Sequence, residues 1–256
     1  MAITIKTKEE IEILVKGGKI LADILERVGE AAQIGVTTKE LDEMAEKLIL
    51  EAGGIPSFKG YGEPDPFPAT LCTSVNEAIV HSIPSDYKLK DGDIIGLDIG
   101  MKWPAEGGLF TDHAITVAIG DVSEENLELM RVTKGCLNKA ISILKPGIYV
   151  NDIGRAIEKY VREKGSYGIV RDLTGHGVGY KVHEEPMIVN FAVKERGAEI
   201  KEGMVIAIEP MITLGTHEIE VDVNGWDIIT KDRSISAHFE HTIAITKKGC
   251  KVITEV

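Results

Sequence analysis

The second half of this chain repeats the first. The segment "GVTTKELDEMAEKLILEAG" (35–53) aligns without gaps to "GIYVNDIGRAIEKYVREKG" (147–165), sharing both terminal glycines, a central Glu-Lys and a late Glu. "KDGDIIGLD" (90–98) aligns to "KEGMVIAIE" (201–209), and "TDHAITV" (111–117) to "FEHTIAI" (239–245). "HSIP" (81–84) resembles "HEEP" (183–186). Four matches in one order indicate a duplicated α/β half. No linker separates the halves, about 1–120 and 121–256, so the expectation is a single pseudo-symmetric domain of 256 residues, long enough to bury a sizeable core.

Each half reads as two helices followed by strands. "TKEEIEILVKGGKILADILERVGEAAQ" opens on a Thr7–Glu10 capping box and carries Ile11, Leu14, Val15, Ile20, Leu21, Ile24 and Leu25 as an apolar stripe. A second helix starts near Thr38 and stops at Gly53–Gly54. Proline- and glycine-rich loops follow, then β-type segments to about Gly120. The pattern recurs with helices at 123–144 and 150–164, split by "KPG", and then mostly strands.

The repeat places acids in unusual company. "DIIGLDIG" and "MVIAIEPM" are runs of the kind that form strands buried on both faces, and Asp98 and Glu209 sit at their ends. Asp112 and Glu240 precede the similar runs "HAITVAI" and "HTIAIT". A two-fold would bring all four carboxylates to the centre of one sheet, where bare charges are costly unless neutralised, paired or bound to cations. Two divalent cations would resolve the repulsion, since carboxylates bridge metals about 3.5–4 Å apart that together clamp a water and a substrate oxygen. Oxygen-rich ligation suits Mn, Fe or Co as well as Mg, and one imidazole tilts the choice towards a transition metal.

His176 lies between Gly175 and Gly177, has no counterpart in the first half, and is the candidate neutral donor to an asymmetric metal pair. His81 and His183 are matched across the halves and would flank the metals, a placement suited to substrate contact and proton transfer.

Other classes are disfavoured. A formal net charge of −12 without a basic stripe argues against nucleic acid and anionic membrane as partners. No apolar run has transmembrane length, and "MAITIKTKEE" lacks the pattern of a secretory signal. Three scattered cysteines make no disulfide framework, so the cytoplasm is the expected location.

With these residues assembled, the chain resembles the type I methionine aminopeptidases. The motifs that carry the resemblance are "TSVNEAIVHSIP", "LDIG", "GHGVGYKVHEEP", "IEPM" and "DRSISAHFEHT", spread over essentially the whole chain. The resemblance implies the α+β pita-bread fold, a central curved antiparallel sheet flanked by helices, as one catalytic domain. It implies a dinuclear metallo-exopeptidase that removes the initiator methionine of nascent polypeptides when the second residue is small. Asp98, Asp112, His176, Glu209 and Glu240 take the family's five metal-ligand positions, holding two divalent ions (Co, Mn or Fe). His81 and His183 take its substrate-contacting positions, and Glu209 is the expected proton shuttle. Tyr61, Phe67, Cys72 and Trp226 are the candidates for the methionine pocket. The expected partners are the N-terminal methionine of nascent chains and, transiently, the ribosome; a monomer is expected. With neither a zinc-finger extension nor a helical insertion between His183 and Glu209, the chain resembles the minimal bacterial form.

It departs from the pattern in places. "DIGMKWPAEGGLFTD" (98–112) is longer than usual and reads as a hairpin with the loop "KWPAEGG". His113 and His238 are atypical, and "GYGEPDPFPAT" replaces a shorter loop beside the pocket. The alternatives are an X-Pro aminopeptidase or prolidase-like activity, or a non-catalytic relative that binds peptides or ribosomes.

Overall fold

The computed structural model describes residues 2–256. The first half contains α1 (Lys8–Ala31), α2 (Thr38–Glu51), β1 (Ile55–Pro56), β2 (Leu71–Val75), β3 (Ala78–Val80), β4 (Ile94–Trp103) and β5 (Leu109–Ala118). The second contains α3 (Glu124–Ile143), α4 (Val150–Lys164), β6 (Gly168–Ile169), β7 (Gly175–Gly177), β8 (Glu184–Ile188), β9 (Val205–Ile208), β10 (Met211–Thr213), β11 (Ile219–Val221), β12 (Ile228–Thr230), β13 (Ser236–His238), β14 (Glu240–Ile245) and β15 (Cys250–Val252). The helix boundaries follow local chemistry. Thr7 and Glu10 exchange both bonds of a capping box at the start of α1, and Thr37 and Glu40 do so at α2.

The two halves share one sheet. Nine strands run in the order β1-β4-β5-β14-β9-β7-β8, with β2 also on β4 and β15 also on β14, and every pairing is antiparallel. Two three-stranded sheets, β13-β10-β6 and β11-β12-β3, complete the β structure.

Alternation along the central strands decides where chemistry can sit. Ile95, Leu97, Ile99 and Met101 of β4 pack with Leu21, Leu25, Leu41 and Ile49 of α1 and α2. Ile206, Ile208, Ile243 and Ile245 of β9 and β14 pack with Leu129, Leu137, Ile153 and Ile157 of α3 and α4. The helices therefore cover one face of the sheet, and Asp98, Asp112, Glu209 and Glu240 belong to the other. The register agrees: Asp98 on β4 and Glu240 on β14 both stand opposite Ala114 of β5, whose methyl leaves room between them.

Two local expectations need correction. The β4–β5 ladder is unbroken from Ile94↔Ala118 to Trp103↔Leu109, so Lys102 and Trp103 are strand residues and the loop shrinks to 104–108. Trp103 donates its indole N–H to the Ala52 carbonyl at 3.0 Å and packs against Gly17 of α1, anchoring the hairpin tip to the helices. The "HSIP"/"HEEP" match also does not extend to backbone structure. His183 leads directly into β8, whereas 81–84 form no strand and His81 itself has a φ of 61°.

Candidate active site

Eleven sequence-selected residues meet at one cavity of about 200 Å³ on the helix-free face. Asp98, Asp112, His176, Glu209 and Glu240 line its polar side, with His81 and His183 beside them and Tyr61 against His183; Phe67, Cys72 and Trp226 form its apolar side, so Tyr61, expected in the same pocket, is set apart from them at the mouth. Phe58, Gly62 and Val80 also line it and were not singled out from sequence. Phe58 lies in an irregular loop, where no periodicity marks a buried face. Val80, next to His81 on β3, carried no mark beyond its motif.

Each acid is held by sheet geometry. Asp112 donates its backbone N–H to Thr242 Oγ1 at 2.9 Å, and the same hydroxyl donates to the Asp112 carbonyl at 2.8 Å. Asn190 Nδ2 donates to the Glu209 carbonyl at 3.0 Å where β9 ends. His176 occupies β7, wedged between β8 and β9. Both flanking glycines are demanded by that fit: a Cβ on Gly175 would lie 2.4 Å from the Ala207 carbonyl oxygen, and one on Gly177 2.3 Å from that of Glu185.

His176 is oriented to offer a lone pair to the acidic cluster. Its Nδ1 lies 3.0 Å from the Gly177 carbonyl, a contact that places the proton on Nδ1 and leaves the Nε2 lone pair facing the acids. Nε2 is 3.5 Å from Glu209 Oε1 and 3.9 Å from Asp112 Oδ2. Asp112, His176 and Glu240 are all buried, and each offers a ligand atom within 4.8 Å of the other two. Asp98 and Glu209 are half-buried, open to the cavity.

Electrostatics sets what this cluster can hold. Burial pushes the Asp98 carboxyl up to about 7. Burial and then the charge of Asp98 raise Asp112 well above the carboxylate range. Glu209 rises through burial, Asp98 and Asp112, and Glu240 through burial, Asp112, Glu209 and Asp98. Asp98 Oδ1 and Glu240 Oε1 are buried without a hydrogen-bond partner. Among the described residues no lysine or arginine forms an ion pair with any of the four, whose neighbours are His176 and His238. Four acids, orphaned oxygens and a neutral imidazole make a donor set that fits divalent cations of the first transition row.

The other two cavity histidines, His81 and His183, differ from His176. His183 stands at the cavity mouth with Nδ1 2.7 Å from the Tyr61 hydroxyl, and its ring meets that of His176 edge to face at 4.4 Å. Burial in the cleft, then the neighbouring His176 and His81, lowers its pKa, and burial lowers that of His81. Both rings are thus neutral at physiological pH. The positive φ of His81 is uncommon for a residue other than glycine, and it falls at a cavity-lining side chain. At the apolar end Phe67 and Trp226 pack edge to face at 5.2 Å, with Cys72, Phe58 and Ile83 in the same cluster.

The model of metallopeptidase family M24 matches residues 12–247. The chain belongs to that family. Among M24 relatives, it is 43% identical to the methionine aminopeptidase of Clostridium acetobutylicum over 98% of each chain. It superposes on the crystal structure of Thermotoga maritima methionine aminopeptidase with a TM-score of 0.94 at 38% identity, covering all of both chains. The prolidase of Pyrococcus horikoshii is more distant, with a TM-score of 0.78 and 25% identity over 98% of this chain but 63% of that one. The pita-bread fold expected from the motifs is therefore the fold of this M24 member. Among the described residues no helix is long and apolar enough to cross a membrane.

Proposed function

We propose that this chain is a metal-dependent aminopeptidase that removes N-terminal methionine from polypeptides whose second residue is small. The observation that carries the reading is the junction of the five-donor acidic cluster with an apolar pocket inside one cavity. Phe58, Phe67, Cys72 and Trp226 offer a methionine side chain aromatic and sulfur contacts of the kind thioethers favour. The relatives named above as methionine aminopeptidases match over nearly the full chain, which supports the same specificity here.

Asp98, Asp112, His176, Glu209 and Glu240 would hold two divalent ions, Co, Mn or Fe. Such ions polarise a carbonyl and lower the pKa of water towards neutrality. The protein's own groups do the rest. Glu209, reachable from the cavity, accepts a proton from the attacking water and returns it to the leaving amine. The Tyr61 hydroxyl lies 2.7 Å from His183 Nδ1; with the hydroxyl as donor there, the His183 proton sits on Nε2, a neutral donor for the developing oxyanion. His81 meets the scissile nitrogen from the opposite side. The halves 1–120 and 121–256 act as one catalytic domain because β5 and β14, one from each, are paired at the site. The enzyme would work in the cytoplasm as a monomer on nascent chains, with transient contact to the ribosome.

A peptide panel tests the reading. Met-Ala-Ser, Met-Leu-Ser and Ala-Pro-Ser are offered to protein loaded with Co or Mn. Fast release of methionine from the first peptide alone is the expected result. Preference for Ala-Pro-Ser would instead establish X-Pro activity, and turnover of none would leave a peptide-binding relative.

A further inference from the structure

We propose that His238 is a positioning residue that holds the carboxylate of Glu209, an inference that rests on the aminopeptidase reading above. His238 ends β13, and the intervening Phe239 packs on the helix side of the sheet. Alternation therefore puts His238 on the same face as Glu240. The residue is 2% exposed, and its Nε2 is buried with no hydrogen-bond partner. That nitrogen faces Glu209 Oε2 at 3.9 Å, while the other oxygen, Oε1, lies 3.5 Å from His176 Nε2. Glu209 is thus bracketed by two imidazoles, one at each oxygen.

The two brackets serve different ends. His176 turns a lone pair towards the acids and lines the cavity; His238 does not line it and stands behind Glu209. His238 is held rigidly by its backbone. Its N–H donates to Thr116 Oγ1 at 3.0 Å, the same hydroxyl donates to its carbonyl at 2.7 Å, and β13 pairs it with Met211. A separation of 3.9 Å is too long for a hydrogen bond, and a small swing of the Glu209 side chain closes it, as catalytic contacts commonly tighten on binding. An imidazole with its proton on Nε2 supplies an N–H donor to that oxygen without adding a cation. With Oε2 engaged from behind, Oε1 is fixed towards the cavity, where both a cation and the transferred proton need it. Groups that orient a metal ligand in this way change affinity or activity by about 10- to 100-fold when lost.

Four proteins test this: wild type, His238→Phe, His238→Ala and His238→Gln, each stripped and titrated with Mn²⁺ by calorimetry, then assayed on Met-Ala-Ser. His238→Phe should lower kcat about 10- to 100-fold and weaken Mn²⁺ binding, with KM nearly unchanged. His238→Gln, whose amide keeps an N–H donor, should recover most of both losses at an unchanged melting temperature; if the Phe ring is not accommodated, His238→Ala takes its place. Wild-type kcat and Mn²⁺ affinity in the Phe or Ala variant would overturn the proposal. So would a Gln variant as impaired as the Phe variant, because a steric role would not be rescued by a donor. If wild type binds Mn²⁺ but releases no methionine, the aminopeptidase reading fails, and the calorimetric arm still decides the role of His238.

Discussion

The His176 and His183 rings touch edge to face at 4.4 Å, yet their nitrogens face different partners. His176 presents Nε2 to Glu209 and Asp112, while His183 commits Nδ1 to the Tyr61 hydroxyl. His176→Ala should therefore reduce Mn²⁺ affinity at least about tenfold, as loss of a direct ligand exceeds loss of a supporting group. His183→Ala should keep near wild-type metal content and lose about 100-fold or more in kcat, the scale of a lost oxyanion donor. Calorimetry beside steady-state kinetics checks both, and equal metal loss in the two variants would refute the division.

The Tyr61 hydroxyl lies 2.7 Å from His183 Nδ1. Tyr61→Phe removes a single hydrogen bond and leaves the ring contact at 5.1 Å in place. A loss of about 1 kcal/mol follows for such a bond, or roughly fivefold in kcat. Metal affinity should not change.

The stripped enzyme should lose stability as pH rises. The carboxyls of Asp98, Asp112, Glu209 and Glu240 have folded pKa values raised above their unfolded ones, Asp98 to about 7. The folded state then binds more protons than the unfolded state, and that stabilisation is present at low pH and lost as pH climbs through the folded values. Burial lowers His81, His113, His176, His183, His238 and His241 in the folded state, and an unfolded imidazole has lost its proton above about pH 8, so between about pH 8 and 9 these groups do not mask the trend. The melting temperature of chelator-treated protein should fall across that window. Saturating Mn²⁺ should reverse it, so the shift on metal addition grows with pH. A flat profile in the stripped protein would contradict the raised carboxyls.

The loop carrying His183 is tied to the N-terminal segment by a buried ion pair. Lys6 Nζ lies 2.7 Å from Glu184 Oε2, with side chains 1% and 5% exposed, and Glu184 Oε1 also accepts the Lys181 N–H at 3.0 Å. Lys6→Met strands the glutamate, at a cost of about 3–5 kcal/mol, and should lower the melting temperature by roughly 10 °C. Adding Glu184→Gln neutralises the stranded charge while keeping an acceptor, and should recover at least half of that loss. Thermal melts of the single and double variants check this.

Much of the site was legible because the duplication pairs Asp98 with Glu209 and Asp112 with Glu240, and two-residue alternation then puts them on one face. The helices were legible for a similar reason, since Thr7–Glu10 and Thr37–Glu40 announce their starts. What stayed hidden depends on contacts distant in sequence. Trp103 looked like loop because of the proline after it, but its indole is held by Ala52 and its backbone by Leu109. Phe58 and Gly62 enter the cavity from an irregular loop without periodicity. His238 was visible as an unusual residue, and only the fold shows its nitrogen turned towards Glu209.

The most direct test of the whole account is methionine release from Met-Ala-Ser by one preparation, first stripped with chelator and then reloaded with Mn²⁺ or Co²⁺. The account predicts no turnover when stripped, and recovery on reloading that saturates at two ions per chain in wild type and is lost in Asp98→Asn. Undiminished turnover in the stripped protein, or full activity in Asp98→Asn, would contradict it.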